Sequence, residues 1–292
     1  MDTTTTTPPI TVVRTREALR DAVAAIRAEG RGVGFVPTMG AFHEGHLSLM
    51  RIAGQDDHAV VVSLFVNPTQ FAPTEDLSKY PRNEARDVEM AASAGAELVF
   101  APTVDQIYPD GFGTTVSVDG PTRILEGATR PTHFNGVATV VAKLMNMVRP
   151  DRAVFGQKDA QQVAVVKRMM RDLDLDDIEL VIGPIVREAD GLAMSSRNVY
   201  LSDAERQAAL VLRRSLDAAQ AAVDGGERDP RAVEAVALAT LAAEPLATAD
   251  YATLVHPDAF VVVDRLTEPA LLCVAAKVGP ARLIDNTHIT VN

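Results

Sequence analysis

Apolar positions in the first part of the chain alternate between two periods. TREALRDAVAAIRAEG (15–30) has them at helical spacing and closes on Gly30, which predicts a helix with glycine at its C′ position. GVGFV (32–36) is a short unbroken apolar run and predicts a strand. The alternation repeats, with helices predicted over 46–54, 83–95, 134–148 and 159–173, and strands over 59–66, 97–100, 152–156 and 178–183. The strands are β-branched and apolar at successive positions. Such strands are buried on both faces, as in parallel sheets covered by helices.

The implied fold is α/β: a Rossmann-like, doubly wound parallel sheet, with ligands expected at the carboxyl ends of its strands. The pattern changes near Pro184. Residues 201–226 read as one long amphipathic helix, and Ser202 followed by Glu205 fits a capping box. DPRAVEAVALATLAAE reads as another helix, with Asp229 as N-cap and Pro230 at N1. DYATLV, ALLCVAAKV and ARLIDNTHITV are strand candidates of antiparallel type. This divides the chain into 1–184 and a smaller α+β domain, 185–292. MDTTTTTPP (1–9) has neither the basic start nor the apolar core of a signal peptide and reads as a flexible tail.

The 292 residues are 47% apolar and 23% charged, enough for a sizeable core in each domain. Lys and Arg number 28 against 39 Asp and Glu, a net charge of −11. That excess argues against nonspecific nucleic-acid binding, so any anionic ligand must be met by a local cluster of donors. The single cysteine, Cys273, excludes a disulfide framework, fits a reducing cytoplasm and reads as a buried strand residue. No apolar run approaches the ~18 residues of a membrane-spanning helix.

Four stretches carry candidate chemistry. In FVPTMGAFHEGHLSLM (35–50), His43 and His46 fall where a strand turns into a helix. A helix N-terminus offers unpaired N–H groups and partial positive charge, and two imidazole donors beside it suit a phosphate. Two surface-loop histidines would have the same spacing. A zinc site fits less well, because HEGH is not H-E-x-x-H and no third ligand is near. There is no G-x-x-x-x-G-K-[ST], and the spaced glycines of GRGVG precede their strand, so neither phosphate-binding fingerprint applies. FGQKDAQQ (155–162) puts Lys158 at another helix start, where the dipole opposes a cation unless an anion is shared. Asp159 can serve there as N-cap, and Gln162 lies one turn on. READGLAMSSRN (187–198) gathers two hydroxyls and an arginine, which are good phosphate donors. FVNPTQF (65–71) puts Asn67 and Gln70 at the end of the second predicted strand. Singly, each reads equally as a solvated loop. Together they place phosphate donors and amides at the carboxyl ends of several strands.

PTMGAFHEGH, FVNPTQF, YPR, RPTHFNGV, FGQKDAQQ, READGLAMSSRN and RLIDN occur here in the order seen in the pantothenate synthetase (pantoate–β-alanine ligase) family. The chain resembles that family from about residue 10 to its end. HEGH also resembles the H-x-G-H signature of the wider nucleotidylyltransferase superfamily, and MSSR its second signature. The resemblance implies adenylation of pantoate by ATP with Mg²⁺, then attack of β-alanine on pantoyl adenylate to give pantothenate and AMP. It implies a homodimer, a C-terminal domain that closes as a lid, and no metal held by the protein itself.

Carried onto this sequence, the resemblance makes His43, His46 and Lys158 the catalytic set. The histidines hold ATP phosphates and Lys158 neutralises charge around the α-phosphate. Ser195, Ser196 and Arg197 grip the outer phosphates; Pro37, Met39, Gly156, Asp159, Val186 and Met194 line the adenosine pocket. Gln70 and Gln162 bind pantoate, with Arg130 and His133 at the rim. The family usually has glutamate at Gln157, which is expected to face away, and an aromatic at Ala160, whose loss removes packing volume. Two rival readings are a nucleotidyltransferase acting on a phosphorylated acceptor and a nucleotide-binding module without turnover. Neutral Gln70 and Gln162 oppose the first, and the number of donors opposes the second.

Overall fold

The structure, a computed structural model, describes residues 10–71 and 77–291. The predicted tail, 1–9, lies outside the described residues. The chain forms two compact units. The first takes residues up to 119, 126–156 and 165–183; the second takes 120–125, 157–164 and 184–292. Pro184 is thus one edge of the division, and the segment carrying Lys158 groups with the second unit.

To Gly183 the chain runs β1 (Thr11–Val13), α1 (Arg16–Ala28), β2 (Val33–Thr38), α2 (Glu44–Ala53), β3 (Ala59–Leu64), α3 (Glu84–Ser93), β4 (Ala96–Phe100), α4 (Val104–Ile107), α5 (Leu125–Thr129), α6 (His133–Val148), β5 (Arg152–Gly156), α7 (Ala160–Asp172) and β6 (Glu179–Gly183). The strands form one parallel sheet in the order β1-β4-β3-β2-β5-β6. This is the doubly wound arrangement, with its switch point between β2 and β5. Val36, Met50, Val62, Val99 and Val154 are buried in the core packed on this sheet. The apolar pattern does not predict β1, whose residues are exposed or half-buried; its pairing with Leu98–Phe100 makes it a strand.

The switch point opens because two strands part company. β2 and β5 pair only at Gly34–Arg152 and Phe35–Ala153, although both continue for three residues beyond. β2 also runs past its predicted end at Val36, through Pro37. The Thr38 N–H and carbonyl face β3, where they meet Ser63 Oγ at 3.3 Å and the Phe65 N–H at 3.1 Å. Alternation then turns the Pro37 nitrogen toward the β5 side, where pairing has ended and no ladder bond is lost.

The second unit adds α8 (Asp203–Ala208), α9 (Val211–Asp224), α10 (Pro230–Ala242), β7 (Ala247–Val255), β8 (Ala270–Val278) and β9 (Ala281–Ile289). The strands form an antiparallel sheet, β7-β8-β9, with α9 and α10 packed on it through Leu212, Leu216, Val233 and Leu241. The predicted capping box and the Asp229 cap are both formed. The single helix expected over 201–226 is instead two. Leu210 N–H bonds Gln207 and Leu212 N–H bonds Ala209, three residues back, so a tight turn separates α8 from α9. Cys273 is buried on β8, in a cluster with Ala160, Val255, Phe260 and Leu271.

Candidate active site

In the first unit, the loop after β2 leads into the two histidines at the start of α2. Its backbone is held by Asp87 of α3, whose carboxylate accepts the Ala41 and Phe42 N–H groups at 2.9 and 2.8 Å. Gly40 has φ +87°, and a Cβ there would lie 2.9 Å from Asp87 Oδ2 and 2.6 Å from Leu64 Cδ1. Only glycine fits this turn without strain. His43 is the N-cap of α2: its Nδ1 accepts the Gly45 N–H at 3.2 Å, and His46 Nδ1 faces the His43 N–H at 3.4 Å. The ring centroids are 4.2 Å apart. An Nδ1 that accepts a hydrogen bond leaves the proton of a neutral imidazole on Nε2. Both rings are therefore set as Nε2–H donors at a helix N-terminus, a constellation suited to an anion.

Gln70 lies at the end of the turn after β3 and is 8% exposed. Its Oε1 accepts from Asn67 Nδ2 at 3.0 Å, and its Nε2 donates to Met39 Sδ at 3.0 Å. Asn67 also donates to the Gly136 carbonyl at 3.1 Å and accepts the Tyr108 hydroxyl at 2.8 Å. Burial pushes the Tyr108 hydroxyl above its ordinary range, against the hydrogen bonds of Thr69 and Asn67, so it remains a donor at neutral pH. Arg130 Nη2 donates to the Gln70 carbonyl at 3.2 Å, and His133 Nδ1 lies 2.8 Å from it. Helix α6 comes this close because residue 136 is glycine: a Cβ there would meet the Thr69 carbonyl oxygen at 2.4 Å. Gly136→Ala is expected to push the Gln70 turn off α6 and cost about 1–3 kcal/mol. The midpoint of urea unfolding measures it, and an unchanged midpoint contradicts the contact.

In the second unit, Lys158 lies in a 3-10 turn, Gln157–Asp159, ahead of α7. It is half-buried, and among the described residues its ammonium has no hydrogen-bond or ion-pair partner. The same holds for the exposed guanidinium of Arg197 and the half-buried amide of Gln162. Val186 and Met194 face each other across a hairpin, with the Met194 N–H on the Val186 carbonyl at 3.0 Å. Ser195 then caps a 3-10 turn, Ser196–Tyr200, its Oγ accepting the Arg197 N–H at 3.3 Å. The hairpin is braced by Arg206, which binds Glu188 at 2.6 Å and Asp190 at 2.9 Å. Hydrogen bonding from Arg206 holds the Asp190 carboxyl below its ordinary value. Gln157 Nε2 donates to Asn286 Oδ1 at 3.2 Å, a bond that an amide can make and a carboxylate cannot.

Residues 11–288 match the model of one protein family, described as pantoate-beta-alanine ligase. The chain belongs to that family.

This ligase is 51% identical over 275 residues to a pantothenate synthetase of Pelotomaculum thermopropionicum, covering 94% of this chain and 97% of that one. The crystal structure of pantothenate synthetase from Thermus thermophilus superposes with a TM-score of 0.90 at 46% identity, covering 96% of this chain and all of the other. A pantoate-β-alanine ligase from Francisella tularensis, solved with β-γ ATP and β-alanine, superposes with a TM-score of 0.77 at 29% identity, over 95% of this chain and 97% of that chain.

Within its first unit the ligase brings His43 against His46 and Met39 against Gln70, with Pro37 and Gly156 at the carboxyl ends of β2 and β5. Within the second it joins Val186 to Met194 and Ser195 to Arg197. Asp159 is exposed and makes no side-chain hydrogen bond or ion pair among the described residues. Motif reading gave no role to Asp87, a buried acid inside a helix 45 residues from Phe42. The available signal was a carboxylate on the buried side of an otherwise ordinary amphipathic pattern. Among the described residues no group of His, Cys, Asp and Glu could hold a metal ion, and no helix is long and apolar enough to cross a membrane.

Proposed function

We propose that this chain condenses pantoate with β-alanine in two steps. The pantoate carboxylate attacks the α-phosphorus of ATP, forming pantoyl adenylate and releasing pyrophosphate. The β-alanine amine then attacks the acyl carbon, forming the amide of pantothenate and releasing AMP. The observation that carries this reading is the pair of imidazoles locked as Nε2–H donors at the N-terminus of α2, beside the switch point of the sheet. Family membership and the ATP and β-alanine bound by the Francisella tularensis relative support it.

His43 and His46 bind phosphate oxygens, and Lys158 neutralises charge developing at the α-phosphate. Ser195, Ser196 and Arg197 bind the outer phosphates and the departing pyrophosphate. Pro37, Met39, Gly156, Asp159, Val186 and Met194 flank the adenosine. Gln70 and Gln162 bind the hydroxyls of pantoate. Mg²⁺ enters with the triphosphate as part of the substrate, its oxygen ligands being phosphates and water. The reaction needs no covalent enzyme intermediate; positioning and charge stabilisation suffice. The working form is a cytoplasmic homodimer, in keeping with the commonest oligomer symmetry.

The test is isotope exchange between ATP and pyrophosphate with pantoate present and β-alanine absent. Pantoate-dependent exchange is expected, since adenylation is reversible. No exchange, combined with no AMP when β-alanine is added, overturns the reading. Gln162→Ala is expected to raise the KM for pantoate about three- to tenfold with kcat little changed, the loss of one neutral hydrogen bond. Because the Gln162 amide has no partner among the described residues, this substitution leaves none of their hydrogen bonds unmade. An unchanged KM removes Gln162 from the pantoate site.

A further inference from the structure

Two adjacent residues of β9 anchor two separate loops of the second unit. Asp285 and Asn286 are 3% and 2% exposed, on a strand that, among the described residues, lies at the sheet edge and pairs with β8. The Asn286 amide nitrogen donates to the main-chain carbonyls of Gln157 and Lys158, each at 3.0 Å. Its oxygen accepts from Gln157 Nε2. The Asp285 carboxylate receives both arms of the Arg187 guanidinium, at 2.7 and 2.9 Å, and the Asn286 N–H at 2.8 Å. Arg187 also donates to the Gly191 carbonyl at 3.1 Å and bridges to Ala193 across the hairpin that leads into Met194–Arg197.

We propose that Asp285 and Asn286 are positioning residues for adenylation. Asn286 sets the point from which Lys158 reaches the α-phosphate, and Asp285, through Arg187, sets the loop carrying Ser195–Arg197. The proposal rests on the role of Lys158 argued above. Its physical basis is spacing. Consecutive strand residues are about 3.4 Å apart in a backbone held by a ladder, so the two anchor points cannot drift relative to one another. Loops tethered only to solvent have no such reference. Misplacing a catalytic group by about 1 Å can cost on the order of 10²-fold in rate.

The residue types fit the task. A carboxamide nitrogen carries two N–H donors and so serves two consecutive carbonyls, whereas a carboxylate would set an oxygen against both. The bidentate fork of Arg187 on Asp285 fixes orientation as well as distance, which a lysine could not do. Neither anchor touches a reacting atom in this scheme; each acts through the residue it holds.

The experiment is a double-mutant cycle read by pantoate-dependent ATP–pyrophosphate exchange. N286D and N286A are each made alone and together with K158A, with thermal melting to identify folded variants. Either Asn286 substitution is expected to slow exchange roughly tenfold or more at saturating ATP, and to add less than about twofold on K158A. Equal slowing with and without Lys158, or no slowing, overturns the proposal. N286A adds no charge and keeps the test open if N286D does not fold. Wild-type exchange by K158A alone refutes the Lys158 role itself, a result distinct from failure of the anchor, and takes the Asn286 half with it. R187K retains the charge and loses the fork, so it is expected to raise the KM for ATP and for pyrophosphate roughly tenfold. Unchanged KM values overturn the Asp285 half.

Discussion

Lys158→Ala is expected to slow pantoyl adenylate formation by about 10²–10³-fold, equivalent to roughly 3–4 kcal/mol of transition-state stabilisation. As the carboxylate attacks, charge concentrates on the α-phosphate oxygens, and a prepositioned ammonium stabilises that state more than the ground state. The Lys158 ammonium is half-buried with no counterion among the described residues, so replacing it disturbs no ion pair or hydrogen bond they form. Its loss should therefore appear in rate rather than in stability. Single-turnover measurement of adenylate formation reads the effect directly. Amide formation from pantoyl adenylate supplied to the enzyme should be much less affected, because the phosphorus chemistry is already complete. A normal single-turnover adenylation rate in the variant would contradict the assignment.

Asp87→Ala should be the most destabilising substitution around the histidine loop, by roughly 3–5 kcal/mol. Its carboxylate is 2% exposed and accepts two backbone N–H groups of the turn. Removing it strands two donors beside a cavity, and Ala41, held at φ 54°, loses the contact that keeps it in a left-handed conformation. The neighbouring Phe42 is 3% exposed and packs with Val36 and Met50 in the core, so the disturbance reaches the sheet. Denaturant unfolding should show a lower midpoint with an unchanged slope. The KM for ATP should rise as well, since the same turn presents His43. A loss below about 1 kcal/mol would mean that water replaces the carboxylate and that Asp87 does not hold the loop.

Gly30, with φ 78°, ends α1 as expected, and Ser202, Glu205, Asp229 and Pro230 cap their helices where the spacing put them. The parallel sheet and the antiparallel strands appear at the predicted segments to within a few residues. Three expectations changed. Residues 201–226 break into two helices, Asp159 lies in a 3-10 turn and makes no capping hydrogen bond among the described residues, and β2 continues through Pro37. In each case the deciding partner is a tight turn or a distant residue that side-chain periodicity does not register.

The sequence alone determined what depends on neighbours along the chain. Solvation period separates helix from strand within a dozen residues, and a cap needs only three or four. The motifs likewise singled out the histidine pair and Lys158 as candidates, because βα turns put such residues at strand ends. Only tertiary structure decided what holds them. Asp87 reaches its loop across 45 residues, Asn67 reaches Gly136 across 69, and Asn286 reaches Lys158 across 128. β1 exists only through its pairing with β4. These contacts depend on burial and hydrogen-bond pairing between segments the chain brings together only when folded, and no local pattern encodes which buried polar group will find which partner.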